Sequence, residues 1–166
     1  MDGTGKDRRW SDGMNRQTPL VATMLDTNPS SRLTVLLPNE QEEWHRTVRG
    51  LLEPLGIQTL SARSGREAIE MIESNAVHVA VLDVQMPQLG GLQVVKRVRE
   101  LHRSEPQRRM PPAILVANDL TSHLLREALM NHVFSVLSKP VDYSLLLDAL
   151  ARVVRRHYES RWPGFQ

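Results

Sequence analysis

The chain has 166 residues, 40% of them hydrophobic and 24% charged, a composition typical of one globular domain with additional terminal segments. It contains no cysteine, which excludes a disulfide framework and thiolate metal sites. The net charge of +2 does not by itself indicate nucleic-acid binding, and no apolar run approaches the roughly 18 residues of a membrane span. The first residues also lack the basic-then-apolar order of a signal peptide, so we expect a cytoplasmic location.

The two ends of the chain differ in character from its middle. Residues 1–31 are rich in Gly, Ser, Thr, Asn and Asp and show no sustained periodicity, which predicts a disordered tail. Met14 and Met24 are alternative starts within that tail. We predict one domain over residues 32–157 and a short C-terminal tail over residues 158–166.

Strand-like and helix-like patterns alternate from residue 33 onward. Short apolar runs predict strands, and apolar residues at spacings of three and four predict helices. Ser64 followed by Glu67 is typical of a capping box, and Gly56 marks a helix end. In chain order, the predicted elements are strand Leu33–Leu37, helix Gln41–Leu55, strand Ile57–Ala62, helix Arg66–Ser74, strand Val77–Leu82, helix Leu92–His102, strand Ala113–Ala117, helix Thr121–Asn131, strand Phe134–Leu137 and helix Asp142–His157.

Side-chain patterns fix the core face of the predicted helices. The first helix is expected to turn an apolar stripe inward, made of Trp44, Val48, Leu51, Leu52 and Leu55. Five strands alternating with five helices predict βαβ units, and therefore a parallel sheet covered by helices on both faces. The compact α/β solution is the doubly wound, flavodoxin-like (βα)5 three-layer sandwich with sheet order 2-1-3-4-5. In that order the loop after the first strand faces the loop after the third.

Asp83 is the most informative residue of the chain. An apolar strand ends on this carboxylate, and Pro87 and the pair Gly90-Gly91 follow it before the next helix begins. The fifth strand ends at Lys139-Pro140, and parallel strands bring these carboxyl ends to one edge of the sheet. Carboxylates hold Mg²⁺, and a lysine ammonium binds phosphoryl oxygens, so this edge is a candidate site for both.

With these residues, positions 33–155 resemble the receiver domains of bacterial two-component response regulators. The resemblance rests on Asp83-Val84-Gln85-Met86-Pro87, on Gly90-Gly91, and on Lys139-Pro140 after the last strand. It implies that Asp83 is the phospho-acceptor and that Lys139 contacts the phosphoryl group. It also implies that the backbone carbonyl of Gln85 is a metal ligand and that the Lys139–Pro140 peptide is cis.

The sequence departs from the receiver pattern at the acidic pair that follows the first strand. Counting back from Gly56 places that pair at Asn39 and Glu40, whereas a second register places it at Pro38 and Asn39. We favour the first register because it puts Trp44 on the core stripe. The resemblance then implies Mg²⁺ held by Glu40, Asp83 and the Gln85 carbonyl, with Asn39 as a weak ligand. An amide oxygen carries no net charge, so this Mg²⁺ site is expected to be weakened.

Two further departures concern the switch residues of the family. The hydroxyl residue that ends the fourth strand is Ala117 here, provided that the loop Arg103–Pro112 carries a short insertion. Asn118 next to it is bulkier than the small residue usual there. The aromatic switch position of the fifth strand falls on Val136. Both members of the usual hydroxyl–aromatic coupling are therefore expected to be missing.

These observations favour a stand-alone receiver that is a switch rather than an enzyme. Its expected partners are a histidine kinase or phosphotransfer protein, and a downstream protein contacted through the fourth helix, fifth strand and fifth helix, with a homodimer as a further option. The alternative is an unphosphorylated pseudo-receiver that acts as a constitutive interaction module. A flavin-binding domain is disfavoured because residues 38–41 offer no phosphate-binding loop. The basic clusters at 96–109 and 152–161 are expected to lie at the opposite edge of the sheet as solvated helix ends, without binding nucleic acid.

Overall fold

The computed structural model describes residues 32–39, 41–108 and 110–158. Five parallel strands form one sheet in the order β2-β1-β3-β4-β5, which confirms the predicted flavodoxin-like topology. The elements are β1 (Thr34–Pro38), α1 (Glu42–Leu52), a 3₁₀ turn (Glu53–Leu55), β2 (Gln58–Ala62), α2 (Gly65–Ser74), β3 (Val79–Asp83), α3 (Gly91–Ser104), β4 (Ala113–Ala117), α4 (Ser122–Met130), β5 (Ser135–Ser138) and α5 (Tyr143–His157). Within these described residues, none of the helices combines the length and apolarity needed to cross a membrane.

The helices cover the sheet on both faces and divide the core into two layers. Side chains of α1 and α5 pack on one face, and those of α2, α3 and α4 pack on the other. Strand β1 shows the alternation directly, because Val35 and Leu37 belong to the first layer and Leu36 to the second. Strands β1, β3 and β4 are buried along their whole length, as expected for a parallel sheet covered on both faces.

The first helix is shorter than its apolar pattern predicts. It ends at Leu52, and Glu53–Leu55 continue as a 3₁₀ turn with Pro54 near its start. Proline has no backbone N–H and its ring clashes with the preceding turn, so the α-helix cannot run through it. Gly56 then closes the turn at φ 79°, the left-handed conformation expected of it. The prediction that Leu51 faces the core is wrong, because this side chain is 39% exposed.

Side-chain caps begin three of the helices. The Ser64 hydroxyl accepts a hydrogen bond from the backbone N–H of Glu67 at 3.1 Å, as the sequence predicted. Thr121 and Asp142 were predicted as the first helical residues of α4 and α5. Both are N-caps instead: Thr121 accepts from the Leu124 N–H at 3.0 Å, and Asp142 accepts from two N–H groups of the first turn of α5.

The end of α5 is fastened to the amino ends of β1 and β3. The backbone N–H of Thr34 donates to His78 Nδ1 at 3.0 Å, and the Tyr158 hydroxyl donates to the His78 carbonyl at 2.6 Å. The rings of His78 and Tyr158 also meet edge to face at 5.2 Å. Tyr158, the first residue of the predicted C-terminal tail, therefore contacts the sheet.

Candidate functional site

Asp83 is the last residue of β3, and its side chain is almost completely buried. The residue is 2% exposed, and both of its carboxylate oxygens have partners. Oδ1 accepts a hydrogen bond from the backbone N–H of Gln85 at 2.8 Å, and Oδ2 forms an ion pair with Lys139 Nζ. A buried carboxylate is stable only when it is paired and hydrogen-bonded in this way. The structure thus brings together the two residues on which the sequence hypothesis depends.

Lys139 reaches Asp83 because of how β5 leaves the sheet. Its backbone N–H donates to the Ala117 carbonyl at 2.8 Å, which aligns the ends of β4 and β5. The Lys139–Pro140 peptide bond is cis, as the resemblance implied. The side chain of Lys139 is 25% exposed, so its ammonium lies between the buried carboxylate and solvent.

The loop after Asp83 fits tightly against its neighbours, and glycines make this possible. A Cβ on Gly91, at the start of α3, would lie 2.8 Å from the backbone carbonyl oxygen of Asp83. A Cβ on Gly65, at the start of α2, would lie 1.9 Å from the carbonyl oxygen of Leu89. Both distances are shorter than a non-bonded contact allows. The close approach of two helix starts therefore holds the Asp83 loop in position.

A cleft of about 410 Å³ opens next to Asp83 at the carboxyl edge of the strands. It is far larger than one phosphoryl group, so a donor group can enter together with the phosphoryl group it carries. The sequence placed Trp44 in the core, and the structure shows its ring packing against that core while also lining this cleft. The lining residues are Pro38, Gln41, Glu43, Trp44, Asp83, Val116, Asn118, Lys139, Pro140, Val141 and Tyr143.

A hydrogen bond crosses from the β3–α3 loop to the β4–α4 loop at the cleft. Asn118 Nδ2 donates to Gln85 Oε1 at 3.2 Å, and both side chains are exposed. The bulk of Asn118 was visible in the sequence, but its partner was not, because the two residues are 33 positions apart. Glu43 and Tyr143 are further cleft residues that no sequence motif singled out.

The donor set for a metal ion is small within the described residues. Glu40 lies outside them, and no group of three or more His, Asp or Glu side chains that could hold a metal occurs among the described positions. The backbone N–H of Asn39 donates to the Ala62 carbonyl at 2.9 Å, and Asn39 is not among the residues lining the cleft. Asp83 and Glu43 supply hard carboxylate oxygens of the kind that Mg²⁺ prefers. This oxygen chemistry fits Mg²⁺.

Ala117 and Val136, which the sequence predicted as the degenerate switch positions, lie in β4 and β5. Ala117 ends β4, is 3% exposed and pairs with Ser138 of β5, so it has no hydroxyl to offer the cleft. Val136 lies in β5 opposite Leu115 and packs against the layer formed by α2, α3 and α4. The side chains at both positions are aliphatic and carry no polar group.

The basic residues of the third and fifth helices lie away from Asp83. None of them lines its cleft, whereas Arg99 and Arg156 line a separate cleft at the amino ends of the strands. Several make ion pairs, such as Lys96 with Glu127 at 3.2 Å and Arg108 with Glu73 at 3.2 Å. The predicted placement at the opposite edge is confirmed for Arg99 and Arg156.

Comparison with known proteins assigns this combination of sheet order and buried aspartate to one class. A family model described as the response regulator receiver domain matches residues 35–151. The chain belongs to this family, whose members are modules of two-component and phosphorelay signalling and are in general not enzymes.

Individual relatives agree with this assignment. The aerobic respiration control sensor protein ArcB of Escherichia coli is 31% identical over 137 residues, which are 82% of this chain and 16% of ArcB. The signal receiver domain of an HD domain-containing protein from Pseudomonas fluorescens is 26% identical with a TM-score of 0.66, covering 77% of this chain and 98% of that one. The chain therefore spans about a sixth of this curated relative and nearly all of a solved receiver domain.

A second similar structure shows a receiver domain with a bound partner. It is the co-crystal structure of the Saccharomyces cerevisiae histidine phosphotransfer protein Ypd1 with the receiver domain of its downstream response regulator Ssk1. The likeness has a TM-score of 0.65 at 19% identity and covers 74% of this chain and 87% of that one. At this identity the likeness concerns the fold alone.

Proposed function

We propose that this chain is a receiver whose Asp83 accepts a phosphoryl group and that transmits its state by contact with another protein. The observation that carries the proposal is the buried Asp83 carboxylate, paired with Lys139 beside a cleft of about 410 Å³. A carboxylate that only capped a turn would not need a cleft of this size beside it.

The contacts of Asp83 favour one of its oxygens as the nucleophile. Oδ1 is held by the Gln85 N–H, so Oδ2 attacks phosphorus in line once Lys139 moves from it to a phosphoryl oxygen. A bond from Oδ2 to phosphorus forms, the bond from phosphorus to the donor breaks, and the donor keeps that electron pair. Lys139 then balances charge on the transferred group.

Mg²⁺ is the cofactor we propose for this reaction, and it would neutralise charge on the phosphoryl oxygens. Asp83, the Gln85 carbonyl and Glu40 would hold it, with Asn39 as a weak ligand. Support comes from the hard oxygen chemistry of the Asp83 carboxylate at the cleft. The amide at Asn39 in place of a carboxylate predicts a lower Mg²⁺ affinity than an acidic pair would give.

The proposed partners are a histidine kinase or a histidine phosphotransfer protein as donor, and a downstream protein as target. The complex of Ypd1 with the Ssk1 receiver supports the first. For the second, we propose the surface formed by α4, β5 and α5. Its apolar side chains include Leu125, Leu129 and Leu145, which are 44%, 78% and 56% exposed. Alternatively, we propose that a second copy of this chain binds the same surface and forms a homodimer.

One observation favours the second candidate, an unphosphorylated pseudo-receiver. The Asn118–Gln85 hydrogen bond lies at the cleft beside Asp83, where it would hinder the approach of a phosphodonor. Ala117 and Val136 would also give a phosphorylated state no hydroxyl or aromatic ring to act through. In this case the same exposed surface would bind its partner constitutively.

Intact-mass measurement after incubation with Mg²⁺ and phosphoramidate separates the two candidates. We expect the mass of one phosphate to be added, and the gain to disappear in Asp83→Asn. Asp119→Asn is the matched control, because Asp119 is an exposed carboxylate that follows the neighbouring strand. If neither phosphoramidate nor a histidine donor adds phosphate to the native chain, the pseudo-receiver is correct.

A further inference from the structure

A second cleft lies at the amino ends of the strands, on the opposite edge of the sheet from Asp83. Its volume is about 440 Å³, and α3, α4, the loops before β4 and β5, and the end of α5 enclose it. We propose that this cleft binds a small amphipathic anion, a molecule with an apolar body and one carboxylate or phosphate group. This inference is independent of phosphorylation at Asp83.

The walls of the cleft suit an apolar body. Leu82, Val95 and Val98 form its buried inner side, each with 8% exposure or less. Pro111 and Pro112 form another wall, and proline has no backbone N–H to offer a polar ligand. The volume falls in the range of small-molecule sites, which are typically apolar with a few polar groups at fixed positions.

The charged groups among the described residues that line this cleft are two arginines. Arg99, Arg156, His132 and His157 all line it, and none of its lining residues in the described chain is Asp or Glu. Partial desolvation, and then the charge of Arg156, lower the pKa of His157, so its ring favours the neutral form and the positive charge of the cleft comes from the arginines. The charge complementarity therefore selects an anion over a cation or a neutral molecule.

Arg99 is held in place at this site. Its Nη1 donates to the Met130 carbonyl at 3.2 Å and to Asn131 Oδ1 at 3.1 Å, both at the end of α4. A guanidinium has five N–H donors, so it can bond to an anion while keeping these two contacts. Arg156 is exposed in the last turn of α5 and can approach the same head group from the other side. Leu129, 78% exposed, extends the apolar surface at the mouth.

Decanoate is the probe for the test, used with the full chain below the micelle concentration and followed in proton–nitrogen correlation spectra. We expect saturable shifts of the His132 and Val133 amides. Decyltrimethylammonium has the same chain length and opposite charge, and we expect it to bind at least about tenfold more weakly, since it cannot form the charge-assisted bonds to arginine.

Two variants and one control test whether decanoate binds at this cleft. Arg156→Gln should weaken decanoate binding about tenfold, the cost of one charge-assisted hydrogen bond. Arg152→Gln is the matched control: it lies one turn earlier on α5, pairs with Asp148 at 3.1 Å and does not line the cleft, so binding should not change. Leu129→Glu places a negative charge at the mouth, at an exposed position where folding tolerates it, and should also weaken binding.

Absence of saturable shifts overturns the proposal, as does equal binding of the two probes with no effect of Arg156→Gln. The second result would mean unspecific contact with apolar surface. Far-ultraviolet circular dichroism of each variant verifies folding. Phosphate incorporation at Asp83 is measured separately, so failure of either proposal leaves the other standing.

Discussion

At the scale of single residues, the Asp83 carboxylate depends on two contacts of different kinds. The Gln85 N–H is fixed by the backbone of the loop, whereas Lys139 reaches Asp83 through a flexible side chain that must move during phosphoryl transfer. Asp83 is 2% exposed, so removal of the lysine leaves a buried charge with only one partner. We therefore expect Lys139 to contribute to stability and, in the proposed function, to phosphoryl transfer.

Lys139→Ala tests this double role. We predict a loss of roughly 2 kcal/mol in the free energy of unfolding, less than for a fully buried pair because the lysine is 25% exposed. Urea denaturation measures it. Adding Asp83→Asn to Lys139→Ala should recover part of that loss, since the unpaired charge disappears. An additive loss in the double variant would contradict a coupled pair.

We predict that Asn118 restricts access to Asp83 through its hydrogen bond to Gln85. Asn118→Ala removes both the bulk and the 3.2 Å hydrogen bond, so we predict phosphorylation by phosphoramidate several-fold faster than in the native chain. Stability should change by less than about 0.5 kcal/mol because both side chains are exposed.

Gln85→Ala is the matched partner of that variant, because it removes the other end of the bond and keeps the backbone groups near Asp83. If the bond restricts access, the two single variants and the double variant should react at similar rates. If the effects of the two single variants on the phosphorylation rate instead multiply in the double variant, the hydrogen bond between the two side chains does not determine that rate.

At the scale of elements, the last helix is held at both ends. Asp142 caps its start, and Tyr158 fastens its end to His78 at the amino end of β3. A capped helix whose buried face includes Leu146, Leu150 and Val153 cannot shift along the sheet without breaking these contacts. The α5 side of the proposed partner surface is thus rigid.

Tyr158→Phe tests the fastening at the end of α5. The variant removes only the hydroxyl that donates to the His78 carbonyl at 2.6 Å and keeps the ring contact. We predict a loss of about 1 kcal/mol in the free energy of unfolding and faster amide exchange in the last turn of α5. Tyr143→Phe, at the 38% exposed start of the same helix, serves as the control and should have almost no effect. Equal losses in both variants would argue against the Tyr158 contact.

His157, near the end of α5, makes the stability of the fold depend on pH. Burial and the charge of Arg156 lower its pKa, so folding favours the neutral ring. Its contribution to stability is present above the unfolded pKa of about 6.5 and is lost as the pH falls below that value. Titration of the imidazole signals by NMR should give a lowered pKa that rises in Arg156→Gln. A pKa unchanged by that substitution would contradict the assigned cause.

At the scale of the whole molecule, alternating apolar patterns were enough to predict the sheet order and the edge on which Asp83 and Lys139 meet. Both follow from local periodicity and from the geometry that parallel strands impose. Family motifs then supplied the roles proposed for these residues and the cis peptide at Pro140.

Other features depend on contacts between distant residues and leave no local pattern. The Asn118–Gln85 bond and the Tyr158–His78 contact join positions 33 and 80 residues apart. The early end of α1 was predictable in principle, because Pro54 cannot continue an α-helix, but the apolar spacing that continues to Leu55 obscured it. The cleft at the amino ends of the strands arises only when α3, α4 and α5 are packed together.

The identity of the phosphorylated residue is the most direct test of the account. After reaction with Mg²⁺ and phosphoramidate, borohydride reduces an aspartyl phosphate to homoserine, and tandem mass spectrometry of the peptides then locates it. We predict homoserine at position 83 and at no other carboxylate. Homoserine elsewhere, for instance in place of Asp119, or a phosphorylated chain without it, would contradict Asp83 as the acceptor.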